Sequence, residues 1–239
     1  NPDGTASAGA IITGTSGDDN GTTNPALVGT VGDDEIYGLE GNDQLTGGDG
    51  ADTLDGGIGN DQLDGGLGSD ELIGGDGDDQ LTDGFGVNSV DGGAGNDFIN
   101  STSAAAGQWL SDGEGNDSVH LSNGANSTVL GGAGTDTIGV HNASGTTIDS
   151  GADNDTVRLG NSFDLTVSTG EGDDRLQTAI FTSDQAGGSF SMGAGNDWVG
   201  QYEDWGSGVA LRWAFRAATG SSFDLGNADN RAGIEGSTI

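Results

Sequence analysis

Between Gly29 and Asn100 the chain consists of eight tandem nine-residue units, and this run constrains the fold more than any other feature. The units begin at Gly29, Gly38, Gly47, Gly56, Gly65, Gly74, Asp83 and Gly92. The most regular is Gly56-Gly57-Ile58-Gly59-Asn60-Asp61-Gln62-Leu63-Asp64, and the consensus is G-G-x-G-x-D-x-U-x, with U a large aliphatic residue. Glycines at positions 1, 2 and 4 permit a sharp turn and close backbone approach. Positions 7 to 9 suit a short strand with U on one face and its neighbours on the other. One unit has a single aliphatic side chain and cannot form a core. Stacked units can, which is the logic of a solenoid.

If two units make one coil, the position-6 residues fall into two rows on opposite sides. Row A begins Asp43, Asp61, Asp79, Asp97, and row B is Asp34, Asp52, Asp70, Asn88. The inward residues are Leu45, Leu63, Leu81 and Ile99 after row A, and Ile36, Leu54, Leu72 and Val90 after row B. Two aliphatic ladders then face each other across a thin core.

Beyond Asn100 the period lengthens but the register persists. Row A continues as Asp117, Asp136, Asp155 and Asp174, at 19-residue steps, with inward Val119, Ile138, Val157 and Leu176. The opposite half-coils keep inward Leu110, Val129, Ile148 and Val167. Gln108, Ser127, Thr146 and Leu165 take the place of the row B aspartates, and Ala106, Ala125, Ser144 and Phe163 that of the position-4 glycines. Row B thus loses its ligand and its turn glycine while row A continues. A further aliphatic two places after U (Leu121, Val140, Leu159) predicts a longer row A strand. His120, between Val119 and Leu121, should face solvent; His141 is not at the equivalent place, which argues against a zinc site from the two. The next step, to Asp197, carries four extra residues within Gln177 to Gly188, read as a protruding loop with Ile180 and Phe181. Met192 to Val199 is the last recognisable loop, with Phe190 inward before it.

The ends are less regular. Residues 1–28 form a lead-in segment. Gly14 to Asp19 is either a first loop with an insertion around Thr22 to Pro25 or a polar arm, since no strand residue follows it directly. Residues 200–239 hold Tyr202, Trp205, Trp213, Phe215 and Phe223 and are read as a C-terminal cap, with a strand suggested by alternation from Val209 to Arg216. The expected divisions are 1–28, the nine-residue repeat 29–100, its longer-coiled continuation 101–199, and the cap 200–239.

Charge decides what can stabilise such a chain. Thirty-nine acidic residues face five arginines, for a formal net charge of −34, and apolar residues are 31 %. A chain of this kind without the repeat would be disordered. Bound divalent cations resolve the contradiction, because Asp carboxylates are hard oxygen ligands suited to calcium. The sign of the charge excludes nucleic acid and anionic lipid as partners of the bare protein. There is no cysteine, hence no disulfide or thiolate metal site, and no apolar run reaches the roughly 20 residues of a membrane span.

From Gly29 to Val199 the chain resembles the repeats-in-toxin (RTX) family, also called hemolysin-type calcium-binding repeats. The resemblance implies an all-β fold, a right-handed parallel β-roll. It implies calcium between stacked loops, held by pairs of position-6 aspartates and by loop carbonyls. Carried onto this chain, the ligands are Asp34, Asp43, Asp52, Asp61, Asp70, Asp79, Asp97, Asp117, Asp136, Asp155, Asp174 and Asp197, with Asp19 and Asn88 as further candidates. The gaps between loops number about 11 at most, and that many divalent ions would cancel about 22 of the 34 negative charges. Calcium occupies both sides in the first half and one side in the second. Asn88 and Asp153, the latter at a position-4 glycine, depart from the pattern. The family is typically exported through a bacterial type I channel and folds outside the cell, in keeping with the absence of cysteine.

Three functions follow as expectations. The first is an extracellular or cell-surface calcium-folded structural or interaction module, such as an adhesin, matrix or surface-layer component, able to form homo-oligomers, filaments or lattices. The second is the repeat module of a larger secreted protease, lipase or epimerase. No zinc-protease helix motif or G-x-S-x-G elbow is present, so the chain itself is read as not an enzyme, with Glu203-Asp204 the best carboxylate pair outside the repeat. The third and weakest is an ice-binding solenoid. It would want outward rows of Thr and Asn; position 5 has Asn42, Asn60, Asn96, Asn116, Asn154 and Asn196, but position 3 has no Thr, and no Thr ladder is expected.

Overall fold

A computed structural model describes residues 9–178, 188–201, 222–224 and 231–232. Twenty-two strands and no helix are found among these residues, arranged in two parallel 11-stranded sheets. Successive strands alternate between the sheets, so each coil contributes one strand to each, and the architecture is a parallel β-solenoid of the β-roll kind. Residues 179–187, where the protruding loop was expected, and the Val209 to Arg216 strand lie outside the described residues.

Register follows the aliphatic pattern. In the sheet after row A, Leu27, Leu45, Leu63, Leu81, Ile99, Val119, Ile138, Val157, Leu176 and Val199 form one continuous ladder. In the sheet after row B the ladder runs Ile12, Ile36, Leu54, Leu72, Val90, Leu110, Val129, Ile148, Val167, Phe190. All of these are buried except Ile12 and Phe190, which pack partly buried against the core. Slipping any strand by one residue would expose its aliphatic and bury a polar neighbour, so the 18- to 20-residue coil is fixed by the alternation itself. Each early coil buries only two large aliphatics, worth about 1.5–3 kcal/mol each. That is small against the entropy of ordering a whole coil, so the loops must contribute.

The second half is the same solenoid, as the register predicts. Leu121, Val140 and Leu159 are buried as a second inward residue of their strands, Ser118–Ser122, Thr137–His141 and Thr156–Gly160. The row B turns change chemistry. Asn123, Asn142 and Asn161 stack with φ of 64°, 53° and 47°, a left-handed conformation that Asn tolerates better than most side chains. The interior of these turns is closed by Ala143, Ser162 and Leu165, all buried.

One of two alternatives is decided and two expectations are corrected. The Gly14 to Asp19 stretch is a true loop: after an insertion its strand arrives as Leu27–Val28, and a preceding strand, Ile11–Thr13, pairs with Glu35–Tyr37. The pattern does not stop at Val199, because Ser222–Asp224 pairs with Ser189–Ser191 and Arg231–Ala232 with Trp198–Val199, adding one strand to each sheet. Threonine rows do exist, at position 7 and not position 3. Thr128, Thr147 and Thr166 are in register on one sheet, and Thr137 and Thr156 follow Ser118 on the other. Position 7 is an outer strand face, where β-branched residues fit a pleated surface.

Candidate metal centres

The loops of row A superpose one repeated geometry. In each, the position-6 Asp is buried: Asp19, Asp43, Asp61, Asp79, Asp97, Asp117, Asp136, Asp155, Asp174 and Asp197 are all 3 % exposed or less. From Asp43 onward its Oδ1 accepts a hydrogen bond from the backbone N–H of the Asp one coil earlier, for example Asp61 from Asp43 at 2.7 Å and Asp155 from Asp136 at 2.9 Å. The Oδ2 atoms of Asp43, Asp61, Asp79, Asp97, Asp117 and Asp136 are buried without a hydrogen-bond partner. Orphaned buried carboxylate oxygens are costly unless an ion or proton meets them.

The Oδ2 atoms of Asp43, Asp61, Asp79 and Asp97 each look into a small cradle. A Cβ placed on Gly38 would lie 2.6 Å from Oδ2 of Asp43 and 2.4 Å from the carbonyl oxygen of Gly56 in the next coil. The same convergence recurs at Gly74, between Asp79 Oδ2 and the Gly92 carbonyl, and in row B at Gly47, between Asp52 Oδ2 and the Gly65 carbonyl. The position-1 glycine thus leaves open a space lined by a carboxylate and a carbonyl, which is the hard oxygen chemistry calcium takes. The residues present fit that ion. Burial, above all, pushes the carboxyls of Asp61, Asp70, Asp97 and Asp136 up to about 6, and those of Asp79 and Asp155 up to about 7.

The first half of row B shares the buried geometry of row A. Asp34, Asp52, Asp70 and Asn88 are buried, and Asp52 and Asp70 carry the same orphaned Oδ2. Asn88 keeps the coil-to-coil bond, accepting from the Asp70 N–H at 3.2 Å. After Asn88 the metal geometry is replaced by direct bonds. Gln108 accepts at Oε1 from the Ser101 hydroxyl and donates through Nε2 to the Ser103 carbonyl at 3.0 Å, so its amide fills the turn interior.

Two ligand-type residues escaped the sequence reading. Asp83 and Asp112 stand at position 1 in place of glycine, are 1 % and 0 % exposed, and have orphaned carboxylate oxygens. Asp83 reaches the row B gap: its Oδ2 and that of Asp70 lie 3.0 and 2.8 Å from where a Gly65 Cβ would be. It brings to the Asn88 loop the carboxylate that Asn88 lacks. Asp112 joins Asp117 and Asp136, with one ligand oxygen of each within 4.8 Å of the others. Burial, then Asp70, pushes the Asp83 carboxyl up to about 8; burial, then Asp136 and Asp117, pushes Asp112 up to about 9. The available signal was period two, since both residues lie two places after an inward aliphatic (Leu81, Leu110) and must share its face.

At the far end of row A, position 1 becomes Ser150, Thr169 and Met192, all buried. The Ser150 hydroxyl donates to the Thr169 carbonyl at 3.2 Å, and the Thr169 hydroxyl donates to the Met192 carbonyl at 2.9 Å. Those carbonyls correspond to the Gly56 carbonyl at Gly38, so here protein hydroxyls engage oxygens that in earlier coils sit beside a position-1 glycine. His120 is exposed as expected; its ring stacks on that of His141 with centroids 5.6 Å apart.

No curated protein and no solved structure matches the chain. The family model for the RTX calcium-binding nonapeptide repeat (4 copies) matches residues 28–63, 64–99 and 106–138. These segments contain the row A loops from Asp43 to Asp136 and the whole of row B. The matched segments, residues 28–63, 64–99 and 106–138, are RTX calcium-binding nonapeptide repeats.

Proposed function

We propose that this calcium-binding repeat module is a secreted, calcium-dependent structural element, disordered where calcium is scarce and folded where it is millimolar. The observation that carries the reading is the stack of buried, partnerless Oδ2 atoms in successive row A loops. Without cations these oxygens lie buried and unpaired, stacked coil over coil along one side of the solenoid. With them, each gap joins two coils. Extracellular calcium modules bind with dissociation constants of roughly 10⁻⁴ to 10⁻³ M, which would make the compartment the switch. Secretion agrees with the typical setting of such repeats, and among the described residues no helix is long and apolar enough to cross a membrane.

Occupancy is graded along the chain in this reading. Gaps whose position 1 is glycine or aspartate take calcium. The last row A gaps, with Ser150, Thr169 and Met192, are closed by the protein itself, so the ion count falls below 11. Far-UV circular dichroism in chelator and then in rising calcium tests the central point: the expected result is cooperative gain of β-structure, and a spectrum indifferent to both would refute it.

The biological role we assign is scaffold or adhesive surface, with no intrinsic catalysis. The described inward carboxylates all occupy repeat positions or the two position-1 substitutions, which leaves them to cations. Among the described residues, the edge strands of both 11-stranded parallel sheets have no further strand beside them, a template for end-to-end assembly. Light scattering against calcium concentration checks assembly, and a monomer at every concentration would remove it. The repeat module of a larger secreted enzyme is the second reading, favoured by the same calcium geometry.

A further inference from the structure

The row A loop from Asp112 to Asp117 differs from every other described loop. Its coil is 20 residues long, as the Asp97 N–H to Asp117 Oδ1 bond shows at 2.6 Å. It lies where row B gives up its ligand, opposite the Gln108 turn. The strand Trp109–Glu114 directs Leu110 into the core and Asp112 to the same side. Gly92 one coil before and Gly131 one coil after hold the same position without a side chain.

Resting on the calcium reading above, we propose that Asp112, Asp117 and Asp136 form a three-carboxylate cation site that binds calcium more tightly than the two-carboxylate gaps along the repeat. One oxygen of each carboxylate is already committed: Asp112 Oδ1 to the Gly113 N–H at 3.0 Å, Asp117 Oδ1 to Asp97 N–H, and Asp136 Oδ1 to the Asp117 N–H at 2.9 Å. The other oxygen, Oδ2, is buried and partnerless in all three. Three convergent carboxylate oxygens within 4.8 Å repel strongly in a site of low polarity. Neither described arginine side chain relieves them: Arg158 donates to Gln177, and Arg175 is exposed on an outer strand face. A hard cation does. The third carboxylate raises the ligand charge from −2 to −3, the property by which calcium sites of otherwise similar geometry are graded in affinity. It also suits a trivalent lanthanide, which the trio would neutralise in full.

The site's place gives it a use. It joins the two-sided and one-sided halves of the solenoid, where the opposite turn is held by the Gln108 amide. A tight ion here fills first and ties the halves together before the weaker gaps close.

The test is calcium titration calorimetry on the full chain, with terbium luminescence as a second probe, for the unaltered protein, Asp112→Gly and Asp112→Asn. Glycine restores the repeat residue; asparagine keeps the volume and removes the charge. The unaltered chain should show a tight class of about one ion, weakened on the order of tenfold or more in both variants, with the remaining class and the β-signal in saturating calcium retained. Terbium should fill one site first in the unaltered chain and lose that order in the variants. A tight class that is absent from the unaltered chain, or survives in both variants, overturns the proposal while leaving calcium-dependent folding intact. Failure of both variants to fold in saturating calcium would assign Asp112 to packing and overturn it as well. Absence of any calcium binding would defeat the parent reading instead.

Discussion

The backbone N–H of Asp61 donates to Oδ1 of Asp79 at 2.7 Å, while Oδ2 of Asp79 is buried with no partner. The two oxygens of one carboxylate thus have separate tasks, one tying coil to coil and the other facing the cation cradle. Substitution can separate them. Asp79→Asn keeps an acceptor at Oδ1, as Asn88 does naturally, and should shift the calcium midpoint of folding upward while the β-signal in saturating calcium recovers. Asp79→Ala removes both tasks and leaves the Asp61 N–H unpaired, costing a further 1–3 kcal/mol or so in saturating calcium. Calcium titration by circular dichroism, with thermal melts at the plateau, compares the two; identical behaviour would mean that the coil-to-coil bond has no separate value.

The two sides of the second half should respond differently. Asp136 carries an orphaned Oδ2 on row A. Thr146, its counterpart in the opposite turn, is fully buried and makes a 3.5 Å contact from its hydroxyl to the Ser144 carbonyl. Asp136→Ala should therefore raise the calcium needed for half-folding, whereas Thr146→Ala should lower thermal stability by about 1 kcal/mol with little change in the midpoint. Equal midpoints would contradict the assignment of calcium to one side.

Much of this was legible in the sequence because a solenoid repeats one local rule. Leu45 over Leu63 and Ile36 over Leu54 follow from the period alone. So does the persistence of row A after Asn100, since the inward residues never lose step. What escaped did so for identifiable reasons. Asp83 and Asp112 occupy a glycine position, and a departure from consensus reads as lost repeat until its direction on the strand is worked out. Leu27 belongs to the Asp19 loop, but the insertion between them breaks the two-residue spacing that marks a strand. The Thr128, Thr147 and Thr166 row lies at position 7, on the strand and not in the loop. Ser150 and Thr169 look like ordinary polar replacements until their bonds to the next coil's carbonyls are seen.

Backbone crowding sets a third expectation. Gly59 has φ of 137°, and a Cβ there would lie 1.8 Å from the Gly41 carbonyl oxygen of the preceding coil. That neighbour is backbone and cannot yield without separating the coils. Gly59→Ala should destabilise the calcium-loaded protein by about 3 kcal/mol or more. Gly17, with nothing within 4 Å and an ordinary φ, accepts Ala within about 0.5 kcal/mol. Chemical denaturation in saturating calcium measures both, and a tolerated Gly59→Ala would show that the coils can move apart at little cost.

Acid should help the metal-free chain and harm the calcium-loaded one. Burial raises Asp61, Asp70, Asp97 and Asp136 to about 6, Asp79 and Asp155 to about 7, Asp83 to about 8 and Asp112 to about 9, against 3.8 for an ordinary Asp. A carboxyl whose folded value exceeds its unfolded value holds more protons when folded. Its contribution to stability is therefore greatest below about 3.8, declines as pH rises through the window up to 6–9, and stays at its lowest above that. In calcium-free buffer, lowering the pH from 8.5 to 4.5 should increase β-signal and compactness. With saturating calcium the dependence reverses, because the ion requires ionised ligands and protons compete for them. Parallel pH series by circular dichroism and gel filtration, with and without calcium, measure the two slopes. A metal-free chain equally unfolded at both ends of the range would show that carboxylate repulsion is not what keeps it open.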